Sequence, residues 1–148
     1  MVRRQDRVHV VLDTNVIVRA LANPSGLSAS AHVYRLWLQR QIQLVVSPPL
    51  IQEYLDVLAE LGVAPARLDK FAQRLLTRGT VTTVHLSRRI SVERDPTDEP
   101  ILSTAASGPV QYLLTLDKDL LDLPIILKQT LRFQILSPAT FLKMQASK

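Results

Sequence analysis

"VHVVLDTNVIV", residues 8–18, decides how the rest of the chain is read. Val8, Val10, Val11 and Leu12 form a short, β-branched apolar run, the pattern of a strand buried on both faces. Asp13 arrives as that strand should end, Asn15 follows two residues later, and the apolar residues then resume at helical spacing. A buried strand that leads through a carboxylate into a helix is the opening of a β-α-β unit. The question it raises is whether other acids reach the same edge of the fold.

The same alternation recurs outward from this stretch. The helical pattern "NVIVRALAN" (15–23) breaks at the turn Asn23-Pro24-Ser25-Gly26. Ser28 or Ser30 can cap a second helix, in which Val33, Leu36, Trp37 and Arg40 keep helical spacing. "QLVVS" (43–47) reads as a second strand, after which Pro48 and Pro49 open a helix that Gly62 closes. "APARLDKFAQRLLTRG" (64–79) reads as a further helix and "TVTTVHL" (80–86) as a third strand. A polar loop, "SRRISVERDPTDEP", leads into the helix "ILSTAASG". "VQYLLTL" (110–116) is a fourth strand, ending at Asp117. "FQILS" (133–137) is a fifth, before a final helix, "PATFLKMQ". Strands alternating with helices predict an α/β fold, a mostly parallel sheet with helices on both faces. With no internal repeat, low-complexity tract or linker, residues 1–148 read as a single domain.

Composition narrows the chemistry. Apolar residues make up 47% and charged residues 21%, which fits a globular protein and excludes a disordered or fibrous one. The chain has no cysteine, which excludes disulfide scaffolds and thiolate metal sites and leaves oxygen and imidazole as ligands. "MVRRQDRV" leads into a strand pattern without a signal-peptide run, and no stretch approaches a membrane span. A soluble cytoplasmic protein is the expectation. The net charge of +5 favours anionic partners.

In a parallel sheet, functional groups gather beyond the carboxyl ends of the strands. Asp13 ends the first strand and Asp117 the fourth. Glu53 and Glu60 both border the apolar stripe formed by Leu50, Tyr54, Val57, Leu58 and Leu61. Glu60 lies roughly 10 Å farther along the helix at about 1.5 Å per residue, so Glu53 is the one near the rim. Asp98 precedes Ile101, Leu102, Ala105 and Ala106 at the offsets of one helical face. Each acid alone has an ordinary reading, as a cap, a turn residue or a solvated flank. Together they are harder to explain away. Two carboxylates about 4 Å apart repel by roughly 4 kcal/mol at an effective dielectric of 20. Four would consume much of the roughly 5–15 kcal/mol that stabilises a typical domain. A hard, oxygen-loving cation, Mg²⁺ or Mn²⁺, would hold them together and suit phosphodiester cleavage.

Basic residues suggest where an anion lies. Arg67, Lys70, Arg74 and Arg78 are spaced as one helical stripe, readable either as a track for RNA phosphates or as a solvated face. Arg88, Arg89 and Arg94 occupy the loop that enters the acidic rim, and the same two readings apply. Tyr34 and Trp37 read as core, and His9, His32 and His85 fit no ligand spacing.

The segments "VVLDTNVIVRAL", "LVVSPPLIQEYLDVL", "RDPTDEPILSTA" and "YLLTLDKDLLDL" span residues 10–123. In that order they resemble the PIN-domain family, in particular the bacterial and archaeal ribonuclease toxins of toxin–antitoxin pairs. The resemblance implies a three-layer α/β/α fold with a five-stranded parallel sheet ordered 3-2-1-4-5. It also implies Mg²⁺- or Mn²⁺-dependent ribonuclease activity, an antitoxin partner and a homodimer. Its acids carry over to Asp13, Glu53, Asp98 and Asp117, its polar helpers to Asn15 and Thr115, and a further acid of variable role to Asp119. Pro100 stands where relatives usually continue the helix with another residue.

Two other classes compete with this one. A non-catalytic RNA- or protein-binding module would keep the fold without the chemistry. An aspartyl-phosphate phosphatase or phospho-receiver also places an acid after its first strand. The phosphatase wants a second acid where "DTN" has Asn15.

Overall fold

A parallel strand that is largely apolar must be covered on both faces, and β1 (Val8–Leu12) and β2 (Ile42–Val46), each with a single polar residue, meet that condition. β2 is buried throughout and β1 from Val10 to Leu12. These assignments come from a computed structural model that describes residues 3–86 and 99–147. The sheet is completed by β3 (Val81–Thr83), β4 (Tyr112–Leu114) and β5 (Gln134–Leu136). All pairings are parallel, in the order β3-β2-β1-β4-β5. The predicted three-layer α/β/α architecture and strand order are both present. Chain progression reverses at β1, whose two neighbours are β2 and β4. Such a reversal opens a crevice at the strands' carboxyl ends.

The helices are α1 (Thr14–Ala22), α2 (Ala29–Leu38), α3 (Pro48–Glu60), α4 (Pro65–Leu75), α5 (Glu99–Ser107), α6 (Lys118–Leu121), α7 (Ile125–Gln129) and α8 (Pro138–Ala146). A short 3₁₀ turn, Arg4–Asp6, precedes β1. Local chemistry starts and stops them. Ser28, rather than Ser30, caps α2 by accepting from the Ala31 amide at 3.1 Å. Ser47 caps α3, and its hydroxyl also meets that of Thr104 at 2.7 Å, which ties α3 to α5. Gly62, at φ +80°, ends α3 where a side chain would be strained.

Several boundaries differ from those expected. The third to fifth strands keep only three residues each, because pairing is limited to the register Leu44–Val46 with Val81–Thr83 and its counterparts on β4 and β5. α4 stops at Leu75 rather than Gly79. Thr77 there donates its hydroxyl to the Gln73 carbonyl at 3.2 Å, and Leu76 is 81% exposed, so nothing holds a further turn against the core. Arg78 consequently lies beyond the helix. Leu61, expected in the buried stripe of α3, is exposed, and Arg40 leaves helical geometry at φ +61°.

The core joins both helical layers to the sheet. Tyr34, Trp37, Phe71 and Tyr54 form a chain of edge-to-face contacts across α2, α4 and α3, with centroids 5.4, 6.4 and 6.1 Å apart. Trp37 donates its indole N–H to the Thr80 carbonyl at 3.0 Å. The last ring, Tyr54, donates its hydroxyl to the Leu12 carbonyl at the end of β1. This aromatic chain therefore terminates directly beneath Asp13.

Candidate active site

Strand register brings the first acid into place. Leu12 pairs with Leu114, and the Asp13 amide donates to the Leu114 carbonyl at 2.9 Å, so β1 and β4 end side by side. Asp13 occupies the N-cap position of α1, yet its side chain accepts no capping hydrogen bond. It turns instead to the neighbouring strand. The Thr115 hydroxyl donates to Asp13 Oδ2 at 2.6 Å and Asn15 Nδ2 to the same oxygen at 3.3 Å. Asn15 Oδ1 accepts from the Leu116 amide at 3.1 Å, and Thr115 Oγ1 accepts from the Asp117 amide at 2.9 Å. Asn15 and Thr115 thus lace the turn after β1 to the turn after β4.

Glu53 comes from the second turn of α3. Its neighbour Tyr54 is buried toward β1, which sets the rotation of the helix and turns Glu53 to the rim. The Thr14 hydroxyl donates to Glu53 Oε2 at 2.5 Å. Asp117 caps α6 by accepting from the Asp119 amide at 2.8 Å, so for this acid the ordinary capping reading holds.

One cavity of about 720 Å³ takes in Asp13, Asn15, Glu53 and Asp117, with Arg19 and Val18 of α1 on its wall. Ile101, from the first turn of α5, also lines it. Asp98, three residues earlier, lies outside the described residues, as do Arg88, Arg89 and Arg94. Arg67, Lys70 and Arg74 do not line this cavity, and neither do Thr115 and Asp119. Thr115 acts from beneath, with no exposed surface.

The electrostatics are those of crowded acids. Asp13 is only 5% exposed, and burial raises its pKa to about 6 against the hydrogen bonds from Thr115 and the Thr14 amide. Glu53 and Asp117 raise it further by repulsion. The Tyr54 phenol is pushed well above its ordinary value by burial and by the charges of Asp13 and Glu53.

Among the described residues, no three Asp, Glu or His side chains are grouped as a ready-made metal cage. The donors present nevertheless suit a hard cation. Mg²⁺ retains several waters and is commonly held by one or two carboxylates, completed by substrate phosphate. A cation beside Asp13 would also offset the burial and the repulsion that raise its pKa.

Sequence reasoning passed over two polar residues of the cavity. Thr14 holds Glu53, and Arg19 brings a positive charge to an acidic cleft. The signal for Arg19 was available, because Asn15, Val18, Arg19 and Ala22 fall at i, i+3, i+4 and i+7 and all line the cavity.

The family model described as PIN domain matches residues 9–119, three quarters of the chain. This chain belongs to the PIN-domain family. The match runs from β1 through Asp119 and so contains every residue that lines the cavity. PIN domains are typically nucleases and typically use divalent cations. No curated protein matches this PIN domain. Among its described residues, no helix is long and apolar enough to cross a membrane.

Proposed function

We propose that this PIN domain is an Mg²⁺- or Mn²⁺-dependent endoribonuclease, with Asp13, Glu53, Asp98 and Asp117 as its acidic centre. The observation that carries the reading is the meeting of Asp13, Glu53 and Asp117 on one cavity at the crevice beside β1. A divalent cation bound there would activate water for in-line attack on phosphorus and neutralise charge on the leaving oxygen. The protein's own part is positional. Asp13 is held by Thr115 and Asn15, Glu53 by Thr14, and Asp117 by the Asp119 amide. Arg19 stands where it can take a substrate phosphate.

The test is cleavage of single-stranded RNA by purified protein in Mg²⁺, Mn²⁺ or EDTA, with Asp13→Asn and Asp98→Asn alongside. Cleavage by the wild type in metal, lost in EDTA and in both variants, is the expected result. If wild type and Asp13→Asn bind RNA equally and neither cuts it with Mn²⁺ present, the chain is a binding module. The phosphatase reading is disfavoured by Asn15, which places an amide rather than a second carboxylate on Asp13.

The ordered motif set supports a wider role, as the cytoplasmic toxin of a toxin–antitoxin pair acting as a single-domain homodimer. Co-purification with the product of an adjacent small gene, and the mass of the free protein in solution, test the two partners separately.

A further inference from the structure

Four basic residues of the 64–79 segment share a stripe in the sequence, but only three of them meet around one space. Arg67, Lys70 and Arg74 line a second cavity of about 260 Å³, floored by Tyr34 and Phe71. Two of the three are tethered. Arg67 donates to the Leu21 carbonyl in the last turn of α1. Arg74 donates to the Tyr34 hydroxyl at 3.1 Å, with its guanidinium carbon 6.0 Å from that ring's centroid. A guanidinium has five N–H donors, so each bond leaves most of them for a ligand. Among the described residues, no hydrogen bond or ion pair reaches the Lys70 ammonium, and no carboxylate lies within ion-pairing distance of Arg67 or Arg74. Three cations held around a concave site without a counter-charge repel one another until an anion enters.

The position of this cavity says which anion. α1 is shared by both cavities, since Val18, Arg19 and Ala22 line the acidic one and Leu21 lines the basic one. From Asp13 to Leu21 is about 12 Å along the helix at about 1.5 Å per residue. Phosphates on one strand of a double helix lie about 3.4 Å apart along its axis, so a strand stacked in the same way needs at least about four nucleotides to cover that distance. We propose that Arg67, Lys70 and Arg74 anchor a backbone phosphate of the RNA strand about four nucleotides from the bond that is cut. This rests on the ribonuclease reading, which it deepens by giving the substrate a minimum length.

The test measures binding apart from cleavage. A fluorescent 12-nucleotide single-stranded RNA is titrated in EDTA, by anisotropy at several salt concentrations, against wild type, Arg67→Gln/Lys70→Gln, Lys70→Gln and Arg78→Gln. The double variant should bind about tenfold more weakly at low salt and lower the salt slope by about 0.7, the value for one phosphate of a single strand, with a smaller change for the single variant. Arg78→Gln changes charge by the same amount outside the cavity and should bind as wild type does. A three-nucleotide RNA should not distinguish wild type from the double variant.

Lys70 holds no other group, so its substitution keeps the test readable if the loss of Arg67 loosens α1. Wild-type affinity and salt slope in Lys70→Gln and in a folded double variant overturn the anchor. So does displacement of the 12-mer by millimolar inorganic phosphate as complete as by unlabelled RNA, since the cavity would then be a small-anion site. Wild type that binds in this length-dependent way but never cuts with Mn²⁺ sinks the nuclease reading and leaves the anchor standing. Wild type that cuts, with both variants binding and cutting equally, does the reverse.

Discussion

Asp13 is a residue whose position costs stability. Its carboxyl, nearly buried and facing two other acids, has a pKa of about 6 in the folded chain against 3.8 for the unperturbed group. The folded, metal-free protein therefore holds a proton that the unfolded chain has already released between those two values. Stability falls as pH rises from about 4 to 6, and the full penalty, roughly 3 kcal/mol, persists above pH 6. This is opposite in sign to the common salt-bridged aspartate. Asp13→Asn keeps an acceptor for Thr115 while removing the charge. In EDTA at pH 7 it should be more stable than wild type by up to about 3 kcal/mol, with little difference at pH 4. Urea unfolding at the two pH values checks this, and an equal gain at both would show that charge is not the cause. Thr115→Val bears on the same carboxylate. It removes a fully buried hydroxyl that serves both Asp13 and the Asp117 amide, and should cost about 1–3 kcal/mol at pH 7 in the same unfolding assay.

At the scale of elements, the cavity depends on how α3 and α5 meet the sheet. Tyr54→Phe keeps the ring contact with Phe71 but loses the hydrogen bond to Leu12, the residue before Asp13. We expect a loss of about 1–2 kcal/mol in stability. Cleavage should show a lower kcat with KM little changed, because the strand end is displaced while the basic cavity is not. Gly108, just past α5, tests the other contact. A Cβ there would sit 2.9 Å from Val84 Cγ1 and 3.1 Å from Val45 Cγ1, so Gly108→Ala should destabilise by about 1–3 kcal/mol, read as a lower Tm. Neither contact is visible in the sequence. The strands, the proline-led helix starts and the Gly62 stop were legible because each rests on a local rule. The missed pieces, α6 and α7, have four and five residues, too few to display a helical period. The end of α4 was misplaced because the apolar pattern runs on through Leu76, and only the packing shows that this side chain meets solvent.

Across the whole molecule, the site was legible as a set of positions but not as a geometry. Asp13, Glu53 and Asp117 could be placed at one rim from strand ends and a helical wheel, since the topology allows few alternatives. The wheel could not separate Arg78 from the three cations of the basic cavity, nor show that Arg19 faces the acids, because both depend on how helices pack against one another. That packing also couples the cleft to global stability. A fold that buries an acid beside two others is strained without a counter-charge, so a cation that binds there, as proposed, should be linked to unfolding. Adding Mn²⁺ to about one hundred times its dissociation constant should stabilise the wild type by about 2.7 kcal/mol. For a chain of this size that is roughly 5–10 °C in Tm. The gain should be larger at pH 7 than at pH 5, because the cation must displace the Asp13 proton below pH 6. Asp13→Asn, already relieved of the repulsion, should show little or none of it. Differential scanning calorimetry of both proteins with Mn²⁺ and with EDTA, at the two pH values, measures all four differences. An equal Mn²⁺ effect on wild type and Asp13→Asn would place the cation away from this cavity and detach the acid cluster from the chemistry.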